Sequence, residues 1–158
     1  MCWTVGSSID FPNQDPFFHS VFSLFEGKRF DLGLYEASTS RSVIFDREGI
    51  SYIFCNIHPE MSAVVIALKT PYYAVSDRKG SITIPEVPPG RYEMRVWHER
   101  VLTETLEHLA HSIVISETVT SLGVLVLTEQ RTLSQTHQNK YGQDYDTSTP
   151  SLPLYVRP

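Results

Sequence analysis

The stretch FCNIHPEM, residues 54–61, places a thiol, an imidazole and a thioether on one short loop, at Cys55, His58 and Met61. Together they make a soft donor set of the kind that selects copper. They fall short of a closed structural zinc site, which takes four Cys or His ligands. A blue-copper site takes two imidazoles and one thiolate in a plane, with a weak axial thioether. The candidate for the other imidazole is His19, in the distant segment DPFFHSVF. A ligand contributed from another strand is held by the fold itself, so such a site would change little between Cu(I) and Cu(II). Two plainer chemistries stay open on spacing alone. A buried cysteine is often a small hydrophobe, and a thiol beside a His can be a nucleophile. For the nucleophile, the sequence places no Asn or Asp evidently able to orient the base.

Short strands must hold these residues. In ISYIFCN, residues 50–56, Ser51, Ile53 and Cys55 share one face while Tyr52, Phe54 and Asn56 share the other. Cys55 then ends a strand, and His58 and Met61 ride the loop that leads into SAVVIALK. That segment is apolar nearly throughout, but its brevity and β-branched residues predict a central strand rather than a helix. Upstream, SVFSLF, RFDLGLY and SRSVIFD are separated by turns containing Gly, Asp or Ser, which predicts an antiparallel sandwich or barrel.

The texture changes at Thr70-Pro71. Asp77-Arg-Lys-Gly80 and Pro88-Pro-Gly90 are strong turn signals. After the second, Tyr92, Met94 and Val96 alternate with Arg91, Glu93 and Arg95, as in a half-buried strand. Residues 98–110 are ambiguous, because Leu102, Leu106 and Leu109 also fit a helical stripe. HSIVIS and SLGVLVL read as two more strands, so residues 71–128 are expected to form a second, small β-sandwich. From Glu129 the chain is too polar to build its own core. Residues 129–158 are expected to be a flexible tail, or an arm docked elsewhere through Tyr141, Tyr145 or Tyr155.

Composition narrows the function. The 158 residues carry a net charge of −5 with Lys and Arg unclustered, which disfavours nucleic acid and anionic membrane as partners. No apolar run approaches the roughly 20 residues of a membrane span. MCWTVGSSIDFPN lacks both the basic and the apolar region of an export signal, so the chain reads as soluble and, if its start is real, cytoplasmic. Two cysteines are too few for a disulfide framework, and Cys2 reads as an incidental thiol. His98, His108 and His111 lie among Glu99, Glu104 and Glu107, but a solvated hairpin explains them better than a second metal site. His137 falls in the polar tail. The chain contains no His-x-His pair, as multicopper oxidases and nitrite reductases require, and no G-x-S-x-G or H-E-x-x-H. These absences disfavour oxygen and nitrite chemistry.

Residues 10–69 resemble a cupredoxin, the fold of plastocyanin, amicyanin and pseudoazurin. The resemblance rests on FPNQDPFFHSVFS, which is similar to the family's first-His segment, and on Cys55-x2-His58-x2-Met61, which matches the ligand-loop spacing of amicyanin and pseudoazurin. It implies an all-β Greek-key sandwich over residues 1–69, with one type 1 copper held by His19, Cys55, His58 and Met61. Asn13 and Ser20 are the expected supports around those ligands. Ser20 stands where the family usually has Asn, and the shorter side chain is expected to shift the potential or loosen the site. His58 is the implied point of electron entry and exit, and Phe17, Phe18 and Pro59 the implied docking patch for a redox partner protein. Cupredoxins normally carry one or two further strands and an export signal before this point, whereas only nine residues precede Asp10. The start is therefore expected to be truncated or mis-assigned, leaving an uncovered sheet edge; the family implies a periplasmic location.

Residues 71–128 resemble the carboxypeptidase regulatory-like domains, transthyretin-like sandwiches with a carbohydrate-binding-like fold. The matching features are D-x-x-G, VPPGRY and an alternating strand ending in VWHE. Such modules are non-catalytic. The pairing looks like proteins labelled methylamine-utilisation or plastocyanin-like, and implies a copper-binding electron-transfer protein. Two other functions stay open: copper storage or delivery, and a non-metal carbohydrate-binding or adhesion module carrying a relic copper domain. The oligomeric state is not specified by the sequence.

Overall fold

Period-2 alternation governs the strand that ends in the cysteine. Along β6 (Gly49–Cys55), Ser51, Ile53 and Cys55 are buried while the residues between them stay half exposed. The computed structural model describes residues 1–24, 26–118, 121–129 and 138–145. These form two units: residues 1–73 with 138–145, and the described residues of 74–129. His137 and Tyr155 lie outside the described residues.

The first unit is built from β1 (Cys2–Thr4), β2 (Ser8–Pro12), β3 (His19–Ser23), β4 (Phe30–Tyr35), β5 (Ser40–Ile44), β6 and β7 (Ser62–Leu68). One five-stranded sheet runs in the order β1-β7-β6-β3-β4, and β2 pairs with β5 in a second sheet. Apart from the parallel pair β1 and β7, neighbouring strands are antiparallel. Ile9 and Val43 of the small sheet join Ile53, Val65 and Ala67 of the large one in a single core that includes the fully buried Phe45. Two sheets sharing one core make a β-sandwich. SAVVIALK is a strand, as its composition predicts, and β1 lies along its outer side from Cys2↔Ile66 to Thr4↔Leu68.

The turn between β3 and β4 shows how tightly neighbouring strands of the large sheet are tied. Gly27 has φ 81°, and a Cβ there would sit 2.7 Å from the Ile50 carbonyl oxygen. Only glycine fits both conditions. The next N–H, that of Lys28, donates to the buried Ser51 Oγ at 2.8 Å and anchors the turn on β6.

The second unit holds β8 (Gly90–Met94), α1 (Thr103–Leu109) and β9 (His111–Ile115). β8 and β9 pair antiparallel, from Gly90↔Ile115 to Met94↔His111. The ambiguous segment resolves as a helix that buries Leu106. The Asp77 turn also forms, with its Oδ1 accepting from the N–H groups of Lys79 and Ser81 at 2.8 Å each. SLGVLVL, read as a strand, is irregular, and Val124 is 90% exposed. Alternation makes a strand only where a neighbouring edge accepts the ladder and a face buries the apolar side chains. Over the described residues the chain is nearly all β, with one short helix. No helix among them is long and apolar enough to cross a membrane.

Candidate metal centre

β3 opens with His19 and the adjacent β6 closes with Cys55, so a strand start and a strand end meet at one end of the sheet. The pairing Val21↔Cys55 sets that register, and the Asn56 N–H extends it by donating to Ser20 O at 2.7 Å. The loop after β6 then folds back. Met61 N–H donates to His58 O at 3.0 Å, and Cys55 N–H donates to Met61 O at 3.2 Å. His58 is carried toward the cysteine by this closure.

The three side chains converge. His58 Nδ1 lies 3.4 Å from Cys55 Sγ, and His19 Nδ1 lies 3.7 Å from the same sulfur. All three candidate ligand atoms are within 4.8 Å of one another. The two imidazole centroids are 4.9 Å apart, with their planes at 58°. A metal ion about 2.0 Å from nitrogen and about 2.3 Å from sulfur, in a trigonal plane, requires N–S separations of roughly 3.7 Å. The observed distances fit that requirement. A thiol proton can bond one of the two nitrogens, whereas a cation between them would bond all three atoms.

Burial grades across the site. Cys55 is 2% exposed and His19 4%, while His58 is half-buried. Burial, and after it the electrostatic influence of the neighbouring His19, pushes the His58 pKa below its ordinary 6.5, against the opposing pull of Glu60 and Asp15. A neutral imidazole keeps its lone pair free for a metal at neutral pH. Met61 closes the loop through its backbone, and its residue is 39% exposed.

Sequence reasoning missed one group. Asp15 Oδ2 lies 2.9 Å from His19 Nε2, so the outer nitrogen of that ring has a carboxylate partner and the inner one faces the thiol. The available signal was an acid four residues before the His. This corrects the expectation that no acid stands where it could orient an imidazole beside Cys55. Asp15 is itself placed by Asn13, whose Oδ1 accepts from the Asp15 N–H at 3.0 Å. The buried Asn13 also donates through Nδ2 to Phe17 O at 2.8 Å and Tyr35 O at 3.4 Å. Ser20 is buried beside His19, its carbonyl spent on Asn56.

Phe17 packs on both imidazoles, with centroids 5.2 Å from His19 and 5.1 Å from His58. It is a wall of the site more than open surface. Phe18 and Pro59 are exposed, and so is Ile57, which sequence reading left out of the patch. Among the described residues the other histidines do not gather. His98 Nε2 lies 3.4 Å from Glu129, and His111 Nδ1 lies 2.8 Å from Leu109 O. Among the described residues, His19, Cys55 and His58 are the one cluster of this kind.

No family model matches the chain, and no curated protein matches it. Among solved structures it is similar to a novel purple cupredoxin from Nitrosopumilus maritimus, at 22% identity and a TM-score of 0.40. The likeness covers 43% of this chain and 76% of that one. At that score it decides nothing by itself.

Proposed function

We propose that the first unit binds one copper ion through His19, Cys55 and His58, with Met61 as the weak axial ligand, and that the protein carries electrons. The observation behind this reading is the convergence of two Nδ1 atoms on one buried sulfur, at 3.4 and 3.7 Å. Copper in such a set supplies one-electron chemistry through its Cu(I)/Cu(II) couple. The chain's contribution is rigidity. His19 and Cys55 sit on paired strands, so the ladder rather than a loop sets their separation. Asp15 holds the outer nitrogen of His19 and thereby its orientation. His58, the least buried of the three, is the ligand through which electrons enter and leave. Ile57 and Pro59 flank it in sequence and, with Phe18, offer apolar surface to a redox partner protein.

The test is visible absorption and electron paramagnetic resonance of the protein titrated with Cu(II), beside Cys55→Ser. An intense thiolate-to-copper band with narrow hyperfine splitting, absent from the variant, is the expected result. Weak, colourless binding in both proteins would overturn the assignment. Fast electron self-exchange separates a carrier from a copper store or delivery protein, which would instead pass its metal to an acceptor.

One observation favours a second reading. Asp15, His19 and Cys55 run carboxylate, imidazole, thiol, the order in which a base and its orienting acid activate a nucleophile. Against it, a nucleophile must meet its substrate, and Cys55 is 2% exposed. Ester hydrolysis by the metal-free protein, lost in Cys55→Ala, would move the balance to this reading.

A further inference from the structure

The backbone of Cys55 is gripped from a distant part of the chain. Tyr145 donates its hydroxyl to Cys55 O at 2.8 Å, across 90 positions of sequence. The same segment holds the next residue, because Lys140 N–H donates to Asn56 Oδ1 at 2.9 Å. A further anchor reaches β4, where Lys140 Nζ lies 2.9 Å from Asp31 Oδ2. Between these anchors the segment is stiffened by its own turn. Asn139 N–H donates to Gln143 O, and Asn139 Oδ1 accepts from the N–H groups of Tyr141 and Gln143. The grips at positions 140 and 145 therefore act as one body.

Both backbone polar groups of Cys55 are thus held outside the sheet ladder. Its N–H goes to Met61 on the ligand loop, and its carbonyl goes to Tyr145. We infer that residues 138–145 are a brace for the cysteine, with Tyr145 as a positioning residue that keeps the Cys55–Asn56 backbone closed and the thiol buried. This segment, expected to be a flexible tail or a docking arm, becomes part of the site's wall. The consequence for a bound metal rests on the copper reading above; the brace itself does not.

The experiment uses the full-length, metal-free protein carrying Cys2→Ser, so that Cys55 is the one thiol. Two rates are read: modification of Cys55 by a chromogenic disulfide, and amide hydrogen exchange at Cys55 and Asn56 compared with Val65 in β7. Tyr145→Phe, which removes only the hydroxyl, is expected to raise the Cys55 rates about fivefold, as for the loss of one typical hydrogen bond. Asn56→Ala, which removes the neighbouring anchor, should act in the same direction. Tyr92→Phe is the control, because it removes a hydroxyl bond of the same length, to Pro88 O, in the second unit. Val65 exchange should stay unchanged in all three. Unchanged Cys55 rates in both Tyr145→Phe and Asn56→Ala would overturn the brace, as would equal acceleration at Val65, which marks general destabilisation. Local acceleration in a protein that binds no copper upholds the brace and removes the copper reading. Copper binding without that acceleration does the reverse.

Discussion

Asp15 Oδ2 lies 2.9 Å from one nitrogen of His19, and Cys55 Sγ lies 3.7 Å from the other. The ring is fixed between a half-exposed carboxylate and a buried thiol, which selects the tautomer with its proton on Nε2. Replacing Asp15 by Ala should weaken copper binding about 10–100-fold, the usual effect of losing such an outer partner. Asp15→Asn keeps an acceptor oxygen and should fall between the two. Competition against a Cu(I) chelator measures this; equal affinities for Asp15→Ala and the parent would mean that the carboxylate does not orient the ring.

Cys55 and Met61 should separate colour from potential. On the copper reading, Cys55→Ser should remove the thiolate and with it the charge-transfer band. Met61→Leu should keep the band and raise or lower the reduction potential, since a weak axial ligand tunes the couple without creating the colour. Spectroelectrochemistry of both variants decides the matter. Loss of the band in Met61→Leu would move Met61 from axial to essential ligand.

Asn13 should matter for stability before it matters for metal. It is buried, and its side chain bonds the Asp15 N–H and the carbonyls of Phe17 and Tyr35. Asn13→Ala strands those groups and should cost about 1–3 kcal/mol. Urea unfolding of the metal-free protein reads the loss directly; a change below about 0.5 kcal/mol would show that water replaces the side chain.

Acid should loosen the segment that carries Tyr145. Burial acts to raise the pKa of Asp31, but hydrogen bonds from Lys140 and the Gly33 N–H outweigh it and hold the carboxyl below its ordinary 3.8. A depressed folded pKa means that the contribution is fully present above the unfolded value and is lost as pH falls through the folded one. Stability should therefore drop on acidification below about pH 4. Lys140→Met should flatten that part of the profile. Identical pH profiles for the two proteins would exclude the ion pair as the cause.

How far the residues announced this structure depended on whether local pattern or distant contact decides each feature. The alternation of Ser51, Ile53 and Cys55 is local, and the strand follows it. SAVVIALK was legible for the same reason. The convergence of His19, Cys55 and His58 was legible because Cys55 and His58 share one short loop and His19 stands at the start of a strand that could pair with theirs. Asp15 was not, because an acid four residues before a His lies near it only when the intervening chain turns, and Asn13 makes that turn. Tyr145 was named as a possible anchor, but nothing local points from it to the carbonyl of Cys55. SLGVLVL misled because an apolar run of strand-forming residues says nothing of whether an edge is there to receive it. The helix at Thr103–Leu109 was half visible, its leucine stripe balanced against a hairpin until Leu106 found a place to be buried.

The grip of Tyr145 on Cys55 also sets an order of events during synthesis. Ninety positions separate the two residues, and the whole second unit is translated between them. At ordinary elongation rates that interval lasts roughly 5–20 s. For that time the thiol and both imidazoles have been made while their last support has not. A growing chain in this state would hold its cysteine open to oxidants and to any soft cation nearby. Closure arrives only when the second unit has been made, so the first unit, whose strands are made first, is the last to be finished.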